Sequence, residues 1–336
     1  MHFATRAGLI LRAPMLPRLL MVLAALALAA CGDAARTITV GERSAAVAAL
    51  ATQIQAHYLD AAAGARLATL LRTRGRTGAY DAIHTDAALA QRLSADLLQA
   101  SHDTQLNVTL ANATPWWPRV RDDAGIASVD KIGADIGYLD IRTFLPPDRA
   151  AARYARTFGK LAAMRTIIVD LRQNRGGYAD GLQLMASYMV DRPIHYADLR
   201  HRDETVEARW AYPQLAARPY LEQLTILIGP GTAAEAENVA FAMQAWRRAT
   251  VIGSRSAGVT ASARSVPLTG RLVAAIPDAH VTLPLTGTSW QGGVVPDMET
   301  SGDALKTAKR AVLTDRLAHV TTPMGRSALL ALLHQP

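Results

Sequence analysis

Two glycine-bearing segments carry the residue types from which a reactive site could be built. Asn174-Arg175-Gly176-Gly177 follows the apolar run Thr166-Ile167-Ile168-Val169-Asp170-Leu171, and Gly231-Thr232-Ala233-Ala234-Glu235-Ala236-Glu237 leads into a helical pattern that continues to Trp246. Glycine removes the Cβ obstacle and tolerates positive φ, so backbone amides in such a turn can approach a ligand closely and hold an oxyanion. A helix N-terminus adds partial positive charge to the same task. The plainer reading of the same glycines is a tight strand-to-helix turn with no ligand. Nearby hydroxyls (Thr232, Ser254, Ser256) and the acid Glu237 suit turn, cap and helix-dipole roles as readily as chemistry, and Asp170 with Arg172 suits a structural ion pair. HExxH, CxxC and clustered carboxylates are missing from the sequence, so neither a metal nor another cofactor is expected.

The elements that must position these segments follow from hydrophobic period. Ile136–Ile141, 166–171, 224–228 and 250–252 read as strands, alternating with helical patterns over 148–163, 182–189 and 236–246. Strand and helix at this spacing predict a largely parallel sheet flanked by helices, an α/β fold with some α+β character. Short alternating runs at 263–268, 272–276 and 281–283 predict late β-hairpins, and 303–313 a closing helix. Before all of this, Ser44 is placed to cap a helix, a second helix spans about 65–71, the stretch 72–81 is a loop, and a third helix ends near Ser101. The expected organisation is a leader over 1–30, a tether over 31–43, a three-helix unit over 44–111, a linker over 112–130 that includes Trp116-Trp117-Pro118, a main core over 131–320 and a tail over 321–336.

With Ile136-Gly137-Tyr138-Leu139 and Gly292-Gly293-Val294-Val295-Pro296-Asp297 added to the two glycine segments, four pieces stand in the order of the tail-specific (C-terminal-processing) serine peptidases. The chain resembles the branch of that family that includes the interphotoreceptor retinoid-binding proteins and the tricorn core. Asp170–Gly177 is similar to the family's DLRxNxGG turn, 231–237 to its TxSxxE stretch and 292–297 to its GVxPD element. The resemblance implies a ClpP/crotonase-like core and an oxyanion hole built from Gly176 or Gly177 with the amide of Glu235. It also implies that the nucleophile position is Ala234, where a methyl group stands for the serine hydroxyl. The lysine base of one branch aligns with Val259, the histidine of the other with Gln105, and its carboxylate with Gln291. These substitutions leave shape without nucleophilicity or proton transfer. His102, Thr232 and Glu237 remain as alternative reactive groups.

Arg and Lys outnumber Asp and Glu by 36 to 28 among 336 residues. Arg6, Arg12 and Arg18 belong to the leader, which takes the net +8 down to +5 for the rest. The remaining cations are scattered rather than striped, which argues against nucleic acid as a partner. Leu19–Ala30 is unbroken apolar sequence, shorter than the ~20 residues a membrane span needs. Leu28-Ala29-Ala30-Cys31 resembles a bacterial lipobox, which implies cleavage before Cys31, lipid on that cysteine and attachment to a membrane surface; the small residues also suit a plain secretory signal. Gly32, where an Asp would mark inner-membrane retention, favours a periplasm-facing outer-membrane address. Cys31 is the sole cysteine, so no intramolecular disulfide can form. The resulting expectation is an exported lipoprotein that binds an extended peptide or protein C-terminus without cleaving it. Two alternatives stand beside it: an active serine-type endopeptidase with a non-standard nucleophile, and a carrier of apolar small molecules.

Overall fold

The structure, a computed structural model, describes residues 36–111, 124–133 and 135–334. The leader, Cys31 and Trp116-Trp117 lie outside the described residues. The first helix, α1 (Val40–His57), is capped by Thr39 rather than Ser44. Thr39 accepts the Glu42 N–H on its hydroxyl and donates its own N–H to the Glu42 carboxylate, which satisfies two end groups at once. Helix α2 (Ala61–Arg76) consumes half of the loop expected over 72–81. Leucine and arginine are good helix formers, and the single Gly75 costs only about 1 kcal/mol against them. Helix α3 (Asp86–Ser101) ends on His102 in the left-handed conformation.

Strand β1 (Asn107–Leu110) follows, and the segment expected to continue the linker instead holds β2 (Ile126–Lys131), paired antiparallel with β3 (Ile136–Ile141). The central sheet then adds β4 (Thr166–Asp170), β7 (Gln223–Ile228), β8 (Ala249–Gly253) and the short β11 (Met298–Glu299) in the order β11-β8-β7-β4-β3-β2. All pairings except β2 with β3 are parallel. Every residue of β4 is buried, as a strand covered on both faces requires. One face carries Leu139, Ile167, Val169, Ile226 and Val251, covered by α4 (Pro147–Leu161), α5 (Ala179–Ser187) and α6 (Glu235–Ala245). The other carries Ile136, Ile168, Leu227 and Ile252, covered by α7 (Ala304–His319). Where a tail was expected, α8 (Pro323–Leu333) packs Leu329 and Leu333 against that second face.

A second, antiparallel sheet runs β1, β10 (Leu272–Thr282), β5 (Ile194–His201) and β6 (Val206–Ala211) in that order, with β9 (Ala261–Pro267) also on β10. The hairpin of β5 and β6 was not expected, and the two late runs 272–276 and 281–283 merge into one strand, β10. A bulge at Pro277/Ala279 explains the merger. Before it, Leu272, Ala274 and Ile276 face the helical unit; after it, Val281 joins the main core. One inserted residue inverts a two-residue period, and a proline is tolerated at such a break.

Candidate functional site

The carboxyl ends of parallel strands β4, β7 and β8 open onto one crevice, the place where open α/β sheets bind ligands. The turn after β4 brings Gly176 (φ 102°) and Gly177 (φ 155°) to the start of α6. A Cβ on Gly176 would lie 2.4 Å from a Glu235 carboxylate oxygen and 3.0 Å from the Ala234 methyl, and one on Gly177 would lie 2.3 Å from the Phe144 carbonyl oxygen. Only glycine therefore fits at both points. Asn174 ties the two loops: its side-chain oxygen accepts the Gly176 N–H (2.8 Å) and its carbonyl accepts the Ala233 N–H (3.0 Å).

Ala234 forms the N-cap of α6 at φ 52°, ψ −120°. Its N–H donates to Glu237 Oε2 at 3.0 Å. Glu237 is fully buried, and its two oxygens also accept the Ser256 hydroxyl and the Gly258 and Val259 N–H groups. This carboxylate therefore pins the segment after β8 to the start of α6. Thr232, also fully buried, donates its hydroxyl to the Leu171 carbonyl (2.8 Å) and accepts the Gly229 N–H (3.0 Å), so it is a staple between the loops. Ser256 donates to Glu237 and accepts the Val294 N–H, which brings the 292–297 segment into the same network. Asp170 and Arg172 pair through short hydrogen bonds, the shortest 2.6 Å, and Tyr138 donates to Asp170.

A small cavity of about 30 Å³ is bounded by Ala234, Glu235, Tyr196, Leu199, Val259 and Trp290. Ala261 lines it too, and its carbonyl accepts the Gln105 side-chain amide at 2.9 Å. Ala234 and Val259 thus line one space, Gln105 does not line it but bonds the carbonyl of Ala261, which does, and Gln291, next to Trp290, is exposed. His102 is an exposed helix cap and does not line the cavity. Tyr196 and Arg209 reach the cavity from the β5–β6 hairpin; the alternating run Ile194-His195-Tyr196-Ala197 is the sequence signal that could have disclosed it.

The amides of Gly177 and Glu235, expected from the resemblance to form an oxyanion hole, both meet a side chain of the protein itself. Gly177 donates its N–H to Glu235 Oε2 at 3.1 Å, and the Glu235 carboxylate also takes the N–H of its own residue. Burial pushes the Glu235 carboxyl above its usual range, and those two N–H bonds work against the rise. Sequence reading assigned only the backbone of Glu235 to the site. Among the described residues there is no group of three or more side chains suited to hold a metal, and no helix is long and apolar enough to cross a membrane.

Residues 135–300 match peptidase family S41, and residues 30–130 match the N-terminal domain described for peptidases of that family in eukaryotic IRBP. A carboxy-terminal-processing protease of Bartonella bacilliformis is 28% identical over 186 residues, a stretch that covers 53% of this chain and 42% of that protein. The chain thus spans about two fifths of the length of that curated relative. In fold, it is similar to a lipoprotein from Streptococcus agalactiae (TM-score 0.62, 14% identity, 84% of this chain and 99% of that one). It is also similar to the photosystem II D1 C-terminal processing protease (TM-score 0.51, 15% identity, 77% and 93%).

Proposed function

The chain belongs to peptidase family S41, and on that footing we propose that it is an exported, lipid-anchored member that binds an extended peptide or protein C-terminus without cleaving it. The observation that supports this most is Ala234. A non-glycine residue at φ 52°, ψ −120° is strained, by about 1–3 kcal/mol, and persists only where its surroundings impose it. The backbone of a reactive turn is kept here, beside the Gly177 amide, with a methyl group where attack would begin.

Of the groups that could substitute, His102 does not line the cavity and the others are spent elsewhere. Thr232 and Glu237 are buried and fully engaged in holding loops, Gln105 uses its amide on a carbonyl, and Val259 has nothing to titrate. Without nucleophile and base, binding and an oxyanion hole alone accelerate hydrolysis by at most ~10^3–10^4 over water. A cavity of about 30 Å³ holds little more than a water or two, which disfavours an apolar small molecule as the ligand of this site. The lipoprotein described among the similar folds agrees with lipidation at Cys31 and a place in the cell envelope.

The test is the purified mature protein with unstructured peptides and a fluorophosphonate probe. We expect no covalent label and no cleavage, also after Ala234→Ser, since no base accompanies the new hydroxyl. Labelling of any Ser or Thr in the unaltered protein would refute the non-catalytic reading. Incorporation of radiolabelled palmitate, lost in Cys31→Ala, checks the anchor.

A further inference from the structure

The two amides that the resemblance assigns to an oxyanion hole hold a carboxylate that belongs to the chain itself. Glu235 Oε2 lies 3.1 Å from the Gly177 nitrogen, and the same carboxylate takes the Glu235 N–H. The fit is close: a Cβ on Gly176 would come within 2.4 Å of that oxygen, so the turn is shaped around it. With Glu235 in this position the adjoining cavity measures about 30 Å³, too little for a peptide side chain. A ligand carbonyl or carboxylate cannot reach the Gly177 N–H until the Glu235 side chain leaves.

We propose that the Glu235 carboxylate is a displaceable plug of this site, and that the ligand admitted in its place presents a free carboxylate of its own, as a peptide C-terminus does. This rests on the peptide-binding reading given above. The occupant seen is the argument for the class of ligand. The hole holds an anion with two planar oxygens against an N–H from each of two segments, and the α6 N-terminus favours negative charge. A second carboxylate offers the same acceptors and can exchange with the first; an amide terminus offers one neutral acceptor.

Exchange has a direction with pH. The charged and titratable groups around Glu235 are Tyr196 on β5, Arg209 on β6, which is paired at 3.0 Å with Glu207, and Glu237 two residues along α6, whose oxygens are spent on other donors. None forms an ion pair with Glu235 among the described residues, so its charge is held chiefly by two N–H groups. Protonation makes Glu235 a poor acceptor and loosens the plug, whereas a peptide α-carboxyl, with an ordinary pKa of about 3.3–3.7, is still charged at mildly acidic pH. Acidification therefore favours the ligand over the plug.

Fluorescence anisotropy tests this with a fluorescein-labelled, unstructured peptide ending in Ala-Leu, made once as the free acid and once as the C-terminal amide. The proteins are the mature chain, Glu235→Ala and, as an isosteric neutral variant, Glu235→Gln. A plug closed about nine-tenths of the time weakens apparent affinity about tenfold. Glu235→Ala is expected to bind the acid peptide at least about tenfold more tightly than the unaltered chain, and the acid about tenfold more tightly than the amide. As the pH is lowered toward the carboxyl range the unaltered chain should gain affinity, while both variants, lacking the titrating group, should not. Equal affinity of the acid peptide for all three proteins would overturn the plug and leave peptide binding intact. Tightening without preference for acid over amide would overturn the carboxylate assignment. No binding by any of the three, each with a cooperative thermal transition, would remove the peptide-binding reading together with the plug.

Discussion

At Ala234 and Glu237, single side chains report on how the turn at the start of α6 is held. If the conformation of Ala234 is imposed by its neighbours, glycine should relieve it. The gain of about 1–3 kcal/mol in strain exceeds the ~0.5–1 kcal/mol that glycine adds to unfolded-chain entropy. Ala234→Gly is therefore expected to stabilise the protein by about 1 kcal/mol, read as a higher urea midpoint. Glu237 is the opposite case. Four donors converge on its two buried oxygens, and glutamine would set an NH2 against some of them. Glu237→Gln should cost about 3 kcal/mol by the same measurement, because donors are stranded in the interior. A change within experimental error would show that Glu237 is not the pin between α6 and the segment 254–260.

Among the elements, the decisive one is the turn between β4 and α5. Phe144 and Gly177 form a parallel bridge there, Phe144 donates its N–H to the Gly176 carbonyl, and Thr143 donates its hydroxyl to the same oxygen at 2.9 Å. The turn is thereby sewn to the extension of β3, which leaves no room at Gly177: a Cβ would sit 2.3 Å from the Phe144 oxygen and 2.7 Å from its nitrogen, both backbone atoms. Gly177→Ala is expected to destabilise by about 3 kcal/mol or more, since the backbone must move and φ is positive. Amide hydrogen exchange should show the loss centred on 143–145 and 174–178. Protection unchanged there would contradict the packing described.

At the scale of the molecule, the helical unit and the hairpin of β9 and β10 share one apolar cluster. Leu50, Leu71, Leu93 and Leu97 of the helices meet Leu272 and Ile276 of β10, and all are almost completely buried. The helical unit is thus half of a core whose other half is late in the chain. Deleting residues 36–106 would expose the apolar face of β10 that the helices cover, and the remainder is expected to aggregate. Size-exclusion chromatography of the truncated chain checks this; a monodisperse monomer would show that the two halves are independent.

Much of this was legible in local pattern. The parallel strands 136–141, 166–170 and 223–228, the glycine turn and the bare methyl at Ala234 follow from period, glycine chemistry and the side chain present. They need few distant contacts to be read. The β5–β6 hairpin was missed because its second strand is polar and half-exposed, and the unity of β10 because a bulge at Pro277 breaks the period on which strands are recognised. The hydrogen bond from the Gly177 amide to the Glu235 carboxylate lay beyond any pattern in sequence. It depends on which rotamer a carboxylate adopts once Gly177, 58 residues earlier, has been folded against it, and only the tertiary structure brings that donor within reach.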